Sequence, residues 1–216
     1  MEKILFEQVP DLFASVGDLF VEKKEELCEM DARLGDGDLG LTMSKGYAAL
    51  PDLMRAEAAG AAGDIGKMVM KAGMKMSSLV PSTMGFLMST GVMEGGKALK
   101  GNTELDGPAL ADYLVGFAAG VQKRGKCQAG QRTIYDAVLP AAEAAKAAVA
   151  ADPAASLQTV IGAALAAASA GVEATKDMVP VFGKAAVHAA QCVGVPDQGA
   201  TAGYYKILGL SNYINK

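Results

Sequence analysis

The chain has 216 residues, 51% of them apolar and 20% charged, which is enough for one domain with a sizeable core and too apolar for a disordered chain. The net charge is −4 with both signs interspersed, Trp is absent and aromatics make up only 6%, so neither a basic nucleic-acid surface nor a base-stacking platform is encoded. Cys28, Cys127 and Cys192 are odd in number and widely spaced, which argues against a disulfide framework or a zinc site.

Helical periodicity dominates the chain. Pro10 opens a first helix running toward Met30, with Leu12, Phe13, Val16, Phe20 and Val21 on its inner face. Further helices are predicted near 41–56, 63–79 and 82–99. The next is opened by Asp106-Gly-Pro108, carries Leu110, Leu114, Phe117 and Val121 on one face, and is closed by Gly125. Others follow near 132–150, 154–178 and 199–214, with a weaker one near 182–192. Ala, Met, Leu, Glu and Lys fill these segments, and all favour helices. Alternating runs of Val, Ile and Thr are missing, so no sheet is predicted. Short Gly/Pro connections imply antiparallel neighbours in a single all-α, up-and-down bundle.

No secretory leader is expected, because Met1-Glu-Lys-Ile lacks a basic region followed by an apolar run. The longest apolar stretch, 160–172, is shorter than the roughly 20 residues a membrane span needs. These features and the cysteine usage lead to the expectation of a cytoplasmic protein without membrane or nucleic-acid partners.

Four turns carry the chemistry, and each precedes a helix. The first is Asp31-Ala-Arg-Leu-Gly-Asp36-Gly-Asp38-Leu39-Gly40-Leu-Thr42. Three carboxylates within eight residues repel one another unless cations or protons neutralise them. Mg²⁺ takes oxygen ligands, few carboxylates among them, plus substrate phosphates. A helix start beside it offers amides to phosphate oxygens. The same residues also suit a plain Gly/Asp turn, and this stretch alone does not separate the two readings. An EF-hand fits worse, because Tyr47 stands where the closing Glu belongs.

The second turn, Val80-Pro-Ser82-Thr83-Met84-Gly85, offers hydroxyls and amides to a phosphate or simply caps a helix. The third, Arg124-Gly125 through Gly130-Gln-Arg-Thr133-Ile134-Tyr-Asp136, is another glycine-rich helix start. The fourth, Pro196-Asp197-Gln-Gly199, places Asp197 to cap a helix or meet a ribose hydroxyl. Gathered on one rim of a bundle, the four turns would form a nucleotide cup. Two phosphate-loop look-alikes, at 91–98 and 120–127, lack the final Ser/Thr and a preceding strand, so they read as helix ends. His188, the only histidine, is read as structural, and the 12 Met as core filler.

The ordered set Asp31…Gly35-Asp-Gly-Asp38…Gly40, Ser82-Thr-Met-Gly85, Gly130-Gln-Arg-Thr133…Asp136…Pro140 and Asp197-Gln-Gly-Ala200 resembles the nucleotide-binding (L) subunit of dihydroxyacetone kinases over nearly the whole chain. The resemblance implies a barrel of about eight antiparallel helices with ATP or ADP at one rim. It implies two Mg²⁺ held by Asp31, Asp36 and Asp38. It implies nucleotide contacts at Leu39, Gly40, Thr42, Ser82, Thr83, Met84, Gly125, Thr133, Ile134, Asp197 and Gly199. It further implies a separate partner subunit that holds a small ketose through its own histidine. In some members a phosphotransfer protein drawing on phosphoenolpyruvate recharges a fixed ADP. A homodimer, a nucleotide-state sensor docking on a regulator, and a kinase for another ketose are the remaining expectations. Two departures stand out: Pro81-Ser-Thr-Met-Gly85 replaces the family's Gly-Gly-Ala-Ser-Gly, and Met178 stands where an Arg is expected.

Overall fold

A computed structural model describes residues 2–187 and 189–216. The protein is all-α. Ten helices are present among the described residues: α1 (Val9–Glu22), α2 (Lys24–Ala32), α3 (Leu39–Ala61), α4 (Ile65–Leu79), α5 (Thr83–Ala98), α6 (Gly107–Gly125), α7 (Tyr135–Ala151), α8 (Leu157–Ala174), α9 (Gly183–Val187) and α10 (Gln198–Ile214). The eight long ones pack in sequence, α1 on α3, α3 on α4 and onward to α8 on α10, and α10 closes back on α1. The result is a closed ring of helical staves around an apolar interior that includes Phe20, Tyr47, Met54, Met68, Phe117 and Leu210.

Short links force consecutive staves to alternate in direction. Every second stave therefore starts at the same rim, and α3, α5, α7 and α10 bring their N-termini together. The four turns singled out in the sequence are the segments that lead into these four helices.

Close packing of neighbouring staves depends on small residues. A Cβ at Gly116 of α6 would lie 2.7 Å from the Glu94 carbonyl oxygen of α5, whereas one at Gly162 of α8 would meet nothing within 4 Å. Gly116→Val is expected to cost about 1–3 kcal/mol by overpacking. Gly162→Ala is expected to gain up to about 1 kcal/mol of helix propensity. Thermal melts of the two variants should move in opposite directions.

Several expectations are corrected. The helix drawn from Pro10 toward Met30 breaks at Lys23, inside a charged run with no apolar anchor, into α1 and α2. Val21, placed on the buried face, is 55% exposed at that break. α3 contains Pro51, continues past 56 through an Ala/Glu-rich turn, and ends where Ala62 adopts a left-handed conformation. A sheet was not expected, yet Ile4–Leu5 and Glu104–Leu105 form an antiparallel pair. Strands of two residues are too short to leave an alternating pattern. The segment near 182–192 contains α9 and a 3-10 turn at Ala189–Gln191, and His188 lies outside the described residues. By length and hydropathy the stretch Leu157–Asp177 could cross a membrane, although the sequence reading counted only 160–172. In the fold its Leu157, Val160, Ile161, Ala164 and Ala168 are buried in the barrel.

Candidate nucleotide and metal site

The acidic turn is organised around Asp31, which sits at the end of α2 and is buried. The chain folds back so that the amides of Gly37, Asp38 and Leu39 donate to Asp31 Oδ2 at 2.9, 3.1 and 3.4 Å. The other oxygen, Oδ1, faces Gln198 Nε2 at 3.5 Å. Asp36 and Asp38 are exposed beside it, and one carboxylate oxygen from each of the three lies within 4.8 Å of the others. Partial burial, then the charges of Asp36 and Asp31, push the Asp38 carboxyl above its ordinary range. The Lys184 ammonium, 3.0 Å away, holds Asp36 below it.

A cleft of about 370 Å³ opens over this turn. Its wall includes Asp31, Asp36, Asp38 and Leu39 from the first turn and Ser82, Thr83 and Met84 from the second. Thr133 and Ile134 come from the third, and Asp197 and Gly199 from the fourth. A second hollow of about 270 Å³ is lined in part by the same Thr83, Thr133 and Ile134. Its other walls are mainly apolar, with Phe86, Leu87 and Phe182, and Gly125 borders it. The Arg124 guanidinium stacks 5.0 Å from the Phe86 ring centre.

Of the expected contact residues, Gly40, Thr42 and Gly125 do not line the cleft, and Gly125 borders only the neighbouring hollow. Gly40 lets α3 approach α2, since a Cβ there would lie 1.9 Å from the Lys24 carbonyl oxygen. Thr42 Oγ1 lies 3.3 Å from Ser82 Oγ and ties the first turn to the second. Ser82 caps α5 by accepting from the Gly85 amide, and Asp197 caps α10 by accepting from the Ala200 amide. Asp136 holds its turn closed, accepting from the Gly130 and Thr133 amides.

The residue that sequence reasoning left without a role is Arg132. It is buried, with a left-handed backbone (φ 57°). Its guanidinium lies 3.4 Å from Asp197 Oδ1 and donates to the carbonyls of Thr175, Cys192 and Val195. One cation thus fastens the long α8–α10 connection to the cup. Burial pushes the Asp197 carboxyl up to about 6, against the Ala200 amide and Arg132, which favour the anion. Met178 does not line the cleft; the cations that line it among the described residues are Arg132 and Lys184. A surface lysine near Gly183 carries no sequence signal of its own.

A ring of helices with an oxygen-rich acidic corner and four helix N-termini at one rim is suited to an anion held through a cation. Comparison with known proteins agrees. The DAK2 domain model matches residues 33–212, and the chain belongs to the DAK2-domain family. Within that family its relatives include the L subunits of dihydroxyacetone kinases. It is 27% identical over 195 residues to the Escherichia coli PEP-dependent dihydroxyacetone kinase, ADP-binding subunit DhaL, covering 90% of each chain. It is 31% identical over 128 residues to the Listeria innocua PEP-dependent dihydroxyacetone kinase 2, ADP-binding subunit DhaL, and that match spans 59% of each chain. The fold superimposes on the dihydroxyacetone kinase of C. freundii, solved with AMP-PNP and Mg²⁺, with a TM-score of 0.64 at 23% identity. That superposition covers 95% of this chain and 33% of the other.

Proposed function

We propose that this chain is the nucleotide-binding catalytic subunit of a dihydroxyacetone-type kinase, passing phosphate from a magnesium-bound nucleotide to a small ketose presented by a partner subunit. The observation that carries the reading is the convergence of three carboxylates with the starts of α3, α5, α7 and α10. The donor set fits magnesium. All three side chains offer oxygen only, and Gln198 Oε1, from a cleft-lining residue, is buried without a partner.

Magnesium bound there supplies charge neutralisation for phosphoryl transfer. Asp31 is held in place by three amides, while Asp36 and Asp38 remain free to adjust. Helix-terminal amides and the Thr83 hydroxyl are placed to orient phosphate oxygens, and the apolar hollow beyond Ile134 receives the base. Phosphoryl transfer asks for positioning and charge stabilisation rather than a protein nucleophile, so the attacking hydroxyl comes from the ketose on the partner. The E. coli relative, matched at nearly full length and named as PEP-dependent and ADP-binding, favours a retained ADP recharged by a phosphotransfer protein over free exchange of ATP.

The purified chain should release a nucleotide on denaturation, seen by mass spectrometry. Asp36→Ala and Asp38→Ala should each weaken metal–nucleotide binding by at least about tenfold and stop ketose phosphorylation with the partner. Undiminished nucleotide binding by both variants would overturn the site.

A further inference from the structure

We infer that the groove between α2, α8 and α10 is a second ligand site, which takes a small organic cation of the diamine type and, when filled, tightens the metal–nucleotide site. The coupling rests on the magnesium–nucleotide reading; the groove itself does not.

The groove has a volume of about 400 Å³ and shares no lining residue with the nucleotide cleft. α10 packs against both α2 and α8, and the space left between those two helices is the groove. Its charged lining is Glu26, Glu29 and Glu173 against Arg33, three carboxylates and one guanidinium, for a net charge of −2. Tyr204 and Tyr205 of α10 add two rings whose centres lie 5.7 Å apart. Carboxylates and ring faces both attract cations. The chain's own Lys23 shows the effect, with its ammonium 3.3 Å from Glu26 and 5.7 Å from the Tyr205 ring centre. Glu173 pairs with Lys176 at 2.6 Å, whereas Glu29 has no ion pair among the described residues. A diamine matches the net charge of the lining, and its methylene chain suits the apolar sides at Met30, Val172 and Pro196.

The groove backs onto the acidic corner. Met30 and Arg33 of its lining flank Asp31, and Pro196 directly precedes Asp197. α2 is also weakly anchored, because it is set off from α1 by the break at Lys23 and buries only Leu27 and Asp31. An element with so little buried apolar surface opens at low free energy. A ligand that bridges α2 to α10 holds Asp31 in the position the metal needs. Ordering α2 once serves both ligands, so each favours the other by the same factor.

Calorimetric titration of the purified chain would compare cadaverine with the uncharged diol of the same chain length, with and without AMP-PNP and Mg²⁺. Cadaverine should bind and the diol should not. Glu29→Gln and Tyr204→Leu should each weaken cadaverine about threefold. Glu29→Gln should leave the affinity for AMP-PNP with Mg²⁺ alone unchanged. In wild type, cadaverine should tighten AMP-PNP with Mg²⁺ about fivefold, and the nucleotide should tighten cadaverine equally. Absence of cadaverine binding, or binding that neither substitution weakens, would overturn the groove site. Cadaverine that weakens nucleotide binding would place the amine on the acidic corner and overturn the proposal. Affinities that ignore one another would overturn the coupling. Failure of wild type to bind AMP-PNP with Mg²⁺, beside cadaverine binding that Glu29→Gln weakens, would overturn the nucleotide reading and the coupling and leave the groove standing.

Discussion

Lys206→Met is expected to raise the melting temperature of this protein and to remove a rise in its stability with pH. Lys206 lies on α10, is fully buried, and its amino group has no hydrogen-bond partner. The nitrogen rests against the rings of Phe117 and Tyr113, 3.9 and 4.4 Å from their centres. Burial drives its pKa well below the ordinary value. A lysine neutral in the fold and protonated in the unfolded chain makes the unfolded state bind the extra proton. Stability must then climb as pH rises toward the unfolded value of about 10.4, by up to about 1.4 kcal/mol per unit. Met keeps the length of the side chain and discards the amine. The gain from removing an unsatisfied buried group is about 1–3 kcal/mol, or several degrees for a chain of this size. Urea unfolding at pH 7, 8 and 9 checks both parts. A variant that is no more stable than wild type and keeps the same slope would mean that the amine is satisfied in the core.

Arg132→Leu is expected to have the opposite effect and to reach the cleft. It leaves Asp197 buried without its counter-charge and takes a donor from three carbonyls, of which Thr175 and Cys192 keep the amides of Met178 and Val195. Breaking a buried pair from one side costs about 3–5 kcal/mol. The loss should concentrate where those carbonyls lie, so early proteolytic cuts are expected between 178 and 195, together with loss of nucleotide binding. Two further observations identify the cause. Adding Asp197→Asn should recover part of the loss, because the stranded charge is gone. Lowering the pH should narrow the gap to wild type, because Asp197, already raised to about 6, is then protonated. Arg132→Lys should not rescue, since one ammonium cannot reproduce the guanidinium fork. A stability loss that neither the second substitution nor pH relieves would refute the account.

These two residues mark the boundary of what the sequence discloses. The long helices were legible from apolar spacing and capping residues such as Ser82 and Asp106, because such signals lie within a few positions of one another. Asp31, Asp36 and Asp38 were legible for the same reason: eight residues contain the whole acidic corner. Arg132 meets Thr175, Cys192, Val195 and Asp197 only after the ring has closed, and nothing local to Gly130-Gln-Arg-Thr133 distinguishes it from a surface turn. The break at Lys23 is subtler. It turns α2 so that Asp31 points inward, and the charged run there reads equally well as the exposed face of one longer helix.

The alternation of stave direction has one more consequence. α1 begins and α10 ends at the rim away from the cleft, where burial, and after it the charge of Asp11 near the start of α1, push the phenol of Tyr213 near the end of α10 upward. The start of α1 and the end of α10 are thus neighbours, on the side away from the cleft. Such a unit can be spliced into a longer polypeptide, or cut and rejoined at the Ala62–Gly63 connection on that same rim, without a strand of chain crossing the cup. The C. freundii kinase, in which the match occupies only 33% of a longer chain, is an arrangement this geometry permits at no cost to the site.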